Sequence, residues 1–183
     1  TFLFHRDFME YHSDRFHDFS LLIFDEKQNL KAILPANRVG DTLFSHQGLT
    51  YDGLVFEKTH NSVFTSKIMV DVFLFLKVNG VKEVQIKIIP TIYSEASTQE
   101  FDHYLFSSGA RLSNREMNLI IDLRNTWNLS KSKLKHFRKV DLNLEIREES
   151  DFSLFWESVL TPRLSKKFNS KPVHSLSEIQ YLK

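Results

Sequence analysis

Phe64, Ile68, Val72 and Phe75 recur at spacings of four, four and three, with Met69, Phe73 and Leu76 beside them. This is the period of a helix that turns one face to a core. Asn79 and Gly80 follow at the point where a helix closes on a left-handed residue. Upstream, residues 2–16 put Phe4, Phe8, Tyr11 and Phe16 on roughly one helical face and Arg6, Asp7, Glu10 and Asp14 elsewhere, which predicts an opening helix. The apolar run 20–25 reads as a strand, 26–29 as a polar turn, and 30–36 as a second strand stopped near Pro35. Residues 42–45 make a third strand. The stretch 47–61, with Gly48 and Gly53, is the loosest of the chain and the natural place for a functional loop.

Beyond the long helix the period changes again. Val84, Ile86 and Ile88 alternate with Gln85 and Lys87 in a strand closed by Pro90. Residues 98–107 carry Phe101, Tyr104 and Leu105 on a helix that Gly109 stops. Met117, Leu119, Ile121 and Leu123 alternate with Asn118 and Asp122 as a strand, a Ser/Lys helix follows over 130–140, and Leu142, Leu144 and Ile146 predict one more strand. Asp151 can cap a helix striped by Phe152, Phe155, Trp156, Val159 and Leu160 and bent or ended at Pro162. Ser175 and Glu178 form a capping box for a last helix. A meander of three strands feeding strand–helix alternation implies an α/β (α+β) fold with a mixed, mostly antiparallel central sheet and helices on both faces.

Composition narrows the chemistry. With 183 residues, 42% hydrophobic and 17 Phe, the chain can bury a real core. The absence of Cys excludes disulfides, thiolate metal sites and a Cys nucleophile. No apolar run approaches the ~20 residues that cross a bilayer, no signal-peptide pattern opens the chain, and a cytoplasmic protein is the expectation. Residue 1 is not Met, which predicts a true N-terminus further upstream. Among the eight His no helical zinc spacing or HExxH occurs, and His12 and His17, five apart, read as surface residues. The P-loop, the serine-hydrolase elbow and the dinucleotide fingerprint are missing. Asn128 to Ser130 spells a glycosylation sequon, read as chance.

Charge is unevenly placed. Residues 1–123 hold 12 Lys or Arg against 16 Asp or Glu, and residues 124–183 hold 12 against 7. The excess lies in Lys131, Lys133, Lys135, Arg138 and Lys139, and in Arg163, Lys166, Lys167 and Lys171. Such clusters are either solvated helix faces or anion sites. Only Phe137 interleaves the first cluster, so base stacking is weak and nucleic acid is not the expected partner.

Elimination leaves the segment from Ser45 to Val55, where polar side chains and two glycines precede the long helix. Here the chain resembles a known family. The opening Phe2-Leu-Phe-His-Arg-Asp-Phe-Met-Glu-Tyr-His12, the stretch Ser45-His-Gln-Gly-Leu-Thr-Tyr-Asp-Gly53, and Trp127-Asn-Leu-Ser-Lys131 with its basic helix are similar to GNAT acyltransferases. More narrowly, they resemble the N-terminal half of FemAB-like proteins, which carry two GNAT-type domains in tandem. The resemblance covers about residues 1–150, and implies a GNAT-like domain there with a helical extension or linker over 151–183.

What the resemblance implies is N-acyl transfer, of an acetyl, acyl or aminoacyl group, to an amine acceptor in cell-envelope or polysaccharide precursor biosynthesis. The donor would be acetyl-CoA or another acyl donor, and no metal is implied. In such domains the pyrophosphate rests on a glycine loop, but here Thr50 replaces the first glycine, and Tyr51 and Asp52 obstruct and repel a pyrophosphate. This half is therefore expected to bind the acceptor, with the donor held mainly outside it. His46 and Tyr51 are the candidate catalytic proton carriers or hydrogen-bond donors. Arg38, Ser45, Gln47, Asp52 and Gly53 are the candidate substrate-binding residues, with Arg38 for an anionic group and Gln47 for orientation. A second GNAT domain, or a second copy of the chain, is the partner expected through residues 151–183. The alternative from another class is a non-catalytic GNAT-fold interaction or dimerisation module.

Overall fold

The computed structural model describes residues 2–11, 13–58, 61–94, 99–125, 129–139, 145 and 147–182. The chain is a mixed α+β protein with two small, mostly antiparallel three-stranded sheets and several helices. It separates into two compact units, residues 1–114 and 115–183.

In the first unit, strands β1 (Leu21–Phe24) and β2 (Leu30–Leu34) pair antiparallel across the turn at 26–29. Asp25 holds that turn by accepting from the Lys27 and Asn29 backbone N–H groups. Pro35 ends β2, as expected, yet the chain resumes pairing at once in an unanticipated strand, β3 (Asn37–Val39). Phe19 N–H donates to Ala36, Arg38 N–H donates to His17, and the Ser20 hydroxyl accepts the Ala36 N–H. The segment from Leu30 to Val39 is thus one bent ribbon. Its first half belongs to one sheet and its second half to another, so the strands are divided between two sheets rather than gathered in one. Strand β4 (Thr42–Phe44) pairs antiparallel with β3, and β5 (Val55–Phe56), inside the expected loop, completes the first sheet against β2.

Helix α2 (Ser62–Val78) is the long helix of the sequence pattern, with the Asn61 side chain accepting from Phe64 N–H at its start. Gly80 follows with φ +78°, a conformation open to glycine without strain. The helix returns the chain to β6 (Glu83–Gln85), which lies parallel to β4. The expected strand over 84–88 is therefore shorter as a ladder, for a reason that belongs to the site below. Helix α3 (Gln99–Ser107) packs on α2, with Phe73 and Tyr104 stacked. The core joins both sheets to these helices through Ala32, Leu34, Leu43, Leu54, Ile68, Met69, Val72, Leu76 and Phe101.

The opening helix is much shorter than its pattern. A single turn at 2–4 precedes α1 (Arg6–Glu10), and turns occupy 13–15. Its aromatic residues collapse locally: Leu3, Met9 and Leu49 form a second small core flanked by Phe4, Phe8 and Tyr51. Five helical residues suffice because that cluster, not helix propensity, holds the segment.

The described helices of the second unit are α4 (Lys131–Lys139), α5 (Ser153–Phe155), α6 (Thr161–Phe168) and α7 (Leu176–Tyr181). Asp151 accepts from Ser153 N–H, and Ser175 with Glu178 closes the expected capping box. Pro162 does not end its helix. A π turn over Trp156–Leu160 joins α5 to α6, and Pro162 falls at the start of α6. Proline cannot donate an N–H to the preceding turn, and a locally widened helix is one way to accommodate that. Among the described residues the expected strand at Met117 to Leu123 has no ladder, and Met117 and Leu119 are 84% and 88% exposed. Alternation marks two faces of an extended chain but supplies no neighbouring strand. His12, His60, Thr98, Trp127, Asn128, Leu142, Leu144 and Ile146 lie outside the described residues.

Candidate functional site

Strands β4 and β6 run side by side as far as Phe44 and Gln85, and one more rung joins Ser45 N–H to the Gln85 carbonyl. At the next rung the Ser45 hydroxyl, not its carbonyl, accepts the Lys87 N–H at 2.8 Å. The backbone of β4 has already turned away, and His46 stands at φ +51°. Residues 46–51 swing out, and the chain returns at Asp52, whose N–H donates to the Lys87 carbonyl and whose backbone bridges Ile88 in parallel. The strands therefore part at Ser45, but the opening beside Lys87 and Ile88 is filled by the protein's own Asp52. Gly53 permits this return. Its φ is +108°, and a Cβ there would come within 3.2 Å of Ile86 Cγ2.

The excursion is tied down by side chains. Asn37, fully buried, donates from Nδ2 to Gln47 Oε1 at 2.9 Å and accepts the Gln47 N–H at 2.7 Å. His46, 2% exposed, accepts the Gly48 N–H on Nδ1 and sets its ring edge-on to Phe16. Its carbonyl accepts the Leu49 N–H. Leu49, 2% exposed, buries its side chain in the Leu3–Met9 cluster, while its carbonyl accepts from Lys87 Nζ at 2.8 Å. Tyr51 joins the same cluster and stacks on Tyr93 at 5.0 Å between ring centres.

Asp52 is the chemically unusual residue of the group. It is 1% exposed, and neither carboxyl oxygen has a hydrogen-bond partner among the described residues. Burial pushes its carboxyl from the ordinary 3.8 up to about 8. The nearby Ser45 hydroxyl, Lys87 ammonium and Lys87 amide each favour the ionised form, but they do not offset the loss of water. A carboxyl poised near neutral pH beside an ammonium group can take up or release a proton under ordinary conditions.

The fold thus brings together Ser45, His46, Gln47, Tyr51, Asp52 and Gly53 at the carboxyl end of the parallel pair. It does not bring Arg38 to them. The Arg38 guanidinium donates to the carbonyls of Gly40, Asn79 and Gly80 and lies over the Phe19 ring. It caps the end of α2 at the opposite, amino end of the β4–β6 pair. The His46 ring braces a turn, and the Tyr51 ring packs in a cluster. Sequence reasoning missed Asn37, Leu49 and Lys87. Lys87 does occupy a polar position of the 84–88 alternation, the one signal that could have found it. Asn37 carries none, because its role depends on Gln47 ten residues away.

The arrangement does not suit a coenzyme pyrophosphate. The N–H groups of Gln47, Gly48, Leu49 and Asp52 are already taken by Asn37, His46 and Lys87, and a carboxyl lies beneath them. Among the described residues no group of His, Asp or Glu could hold a metal ion, and no helix is long and apolar enough to cross a membrane. Compared with protein-family models, with curated proteins and with solved structures, the chain finds no match in any of the three.

Proposed function

We propose that residues 1–114 form the acceptor-holding, reacting part of a GNAT-like N-acyltransferase. The observation that carries this reading is the buried Asp52 carboxyl, without a hydrogen-bond partner among the described residues, within the electrostatic influence of the Lys87 ammonium where parallel strands part. The carboxyl ends of parallel strands are a recurrent place for ligands in open sheets. The parallel pair β4–β6, joined through β5 and α2, also accords with the strand–helix alternation read from the sequence.

Acyl transfer needs a proton carrier and a positive group near the carbonyl oxygen. The amine nitrogen forms the new C–N bond, the C–S or C–O bond to the leaving group breaks, and one proton passes from nitrogen to the departing group. Asp52 is suited to carry that proton and Lys87 to face the developing oxyanion. Both require residues 48–51 to lift, since Lys87 is now held by Leu49. The donor's nucleotide portion, where it has one, is held outside this segment. The acceptor is a small-molecule or precursor amine, and acceptors of cell-envelope or polysaccharide biosynthesis are the first to try.

The test uses acyl thioesters of N-acetylcysteamine, which carry no pyrophosphate, with a panel of amines, and follows thiol release. The expected result is amine-dependent release whose rate changes with an inflection near pH 8, and Asp52→Asn removes that inflection. Release that ignores the amine, or an unchanged profile in Asp52→Asn, overturns the proposal.

A second reading, an interaction module that pairs with another copy of this chain, is favoured by the helix built from α5 and α6. Leu154, Phe155, Val159 and Phe168 on it are 77%, 51%, 52% and 59% exposed. Sedimentation equilibrium is expected to show a dimer that Phe155→Ser and Val159→Ser disperse, and a monomer at all concentrations sinks this reading.

A further inference from the structure

Leu49 is held in an odd way for a loop residue. Its carbonyl accepts a hydrogen bond from the one ammonium of the site, at 2.8 Å. Its side chain is 2% exposed, inserted among Leu3, Phe4, Phe8, Met9 and Tyr51. Loop tips usually carry polar or small residues in water. A carbonyl on a cation, joined to a short branched aliphatic chain in an apolar pocket, is the outline of an acyl group. The carbonyl and side chain of a leucine are in fact a 4-methylpentanoyl skeleton.

We propose that Leu49 stands in the place of the transferred acyl group, so that lifting residues 48–51 opens a site for an aliphatic acyl chain with its carbonyl on Lys87 Nζ. The inference rests on the acyl-transfer reading and makes it narrower: the acyl group is of medium length and apolar, not acetyl. The pocket walls are already built, since Leu3 and Met9 are 7% and 6% exposed and are held by the first turns of the chain. An acetyl group would reach Lys87 but leave the pocket empty, and an empty apolar pocket forfeits the contacts of its lining. A 4-methylpentanoyl group refills it.

The loop itself is built to be displaced. What holds Leu49 from outside the segment is the Lys87 ammonium and the apolar cluster, and an acyl ligand reproduces both. Gln47, by contrast, stays anchored by Asn37 at one end, and Asp52 by the Lys87 carbonyl at the other. Residues 48–51 can therefore move as a short strap between two fixed points. Because the internal group competes with the ligand, apparent affinity is lowered by the fraction of molecules in which the strap is closed.

Three methionines make the test direct in the whole chain: Met9 lines the pocket, Met69 sits in the main core at 1% exposure, and Met117 is 84% exposed. With methyl-13C methionine, titration with S-(4-methylpentanoyl)-N-acetylcysteamine is expected to shift Met9 and leave Met69 and Met117 in place. S-acetyl-N-acetylcysteamine at equal concentration should leave all three. Leu49→Ala should lower the half-saturating concentration by about tenfold, with the Met69 resonance reporting that the core is intact. Lys87→Met should raise it. The proposal is overturned if Met9 does not respond in the wild-type chain, or if the acetyl compound moves Met9 as far. It is equally overturned if a folded Leu49→Ala binds no more tightly than wild type. Should Leu49→Ala not fold, the comparison of the two thioesters on the wild-type chain decides alone. Selective binding without amine-dependent thiol release overturns the transfer reading and leaves the acyl site standing. Thiol release without chain-length selectivity at Met9 overturns the acyl site and leaves the transfer reading standing.

Discussion

Asp52→Asn makes the folded protein more stable at pH 8, and the advantage disappears as the pH falls to about 4. The wild-type carboxyl, 1% exposed and without a hydrogen-bond partner among the described residues, has its pKa raised by burial from 3.8 to about 8. Below pH about 4 the carboxyl is protonated in both the folded and the unfolded chain, and the two proteins are equivalent. Between about 4 and about 8 the unfolded chain has lost the proton that the folded chain still holds. Stability therefore declines by on the order of 1 kcal/mol for each pH unit in that window, and levels off above it. The amide of Asn has the same shape and no charge to strip of water, so the variant lacks this slope. Urea unfolding at pH 4, 6 and 8 measures the effect. Parallel pH dependences in the two proteins would refute the assignment of a neutral, buried Asp52.

Leu43→Ala is expected to destabilise the protein by about 2–5 kcal/mol, the range for emptying a fully buried leucine site. Leu43 is 0% exposed and sits at the middle of β4, between Arg38 of β3 and Val84 of β6. It packs into the core that α2 closes with Ile68, Met69, Val72 and Leu76. Because β4 is held on both sides, neighbours cannot collapse freely into the space. For a unit of this size that loss lowers the melting temperature by roughly 10 °C or more. Leu22→Ala, at a position 63% exposed on β1, serves as the control and should change stability by under about 0.5 kcal/mol. Thermal and urea unfolding of both variants give the comparison, and a loss below about 1 kcal/mol for Leu43→Ala would show that β4 is not the centre of the fold.

The parts of the fold legible in the sequence are those whose stabilisation is local or periodic. Helix α2 could be read because its apolar face repeats every turn and Gly80 marks its end, while the Asn61 cap at its start was not read. The capping box at Ser175 is equally local. Strands β1 and β2 were readable from two apolar runs and the polar turn between them. The opening helix failed for the opposite reason: Phe4, Phe8 and Tyr51 are drawn into a cluster with Leu49, and that pull outweighs a helical period. The segment at Met117 to Leu123 has a strand's alternation but no partner strand among the described residues.

The candidate site divides in the same way. Residues 45–53 stand out in the sequence as a polar, glycine-bearing stretch before a helix, and its side chains do come together. Arg38, chosen there as an anion ligand, is spent on the end of α2, a carbonyl-rich place no sequence spacing reveals. Lys87, Asn37 and Leu49 entered only through contacts across ten to thirty-eight positions of chain.

By itself, then, the amino-acid order determined the long helix, the hairpin, the caps and the place of the loop, because those follow from hydrophobic period and from residues acting on their immediate neighbours. Tertiary structure alone decided that β4 and β6 lie side by side, that Asp52 fills the space where they part, and that Lys87 grips Leu49. Burial and long-range pairing are properties of the whole packed unit. A carboxyl's environment, and with it its proton affinity, exists only once distant segments have excluded water from around it.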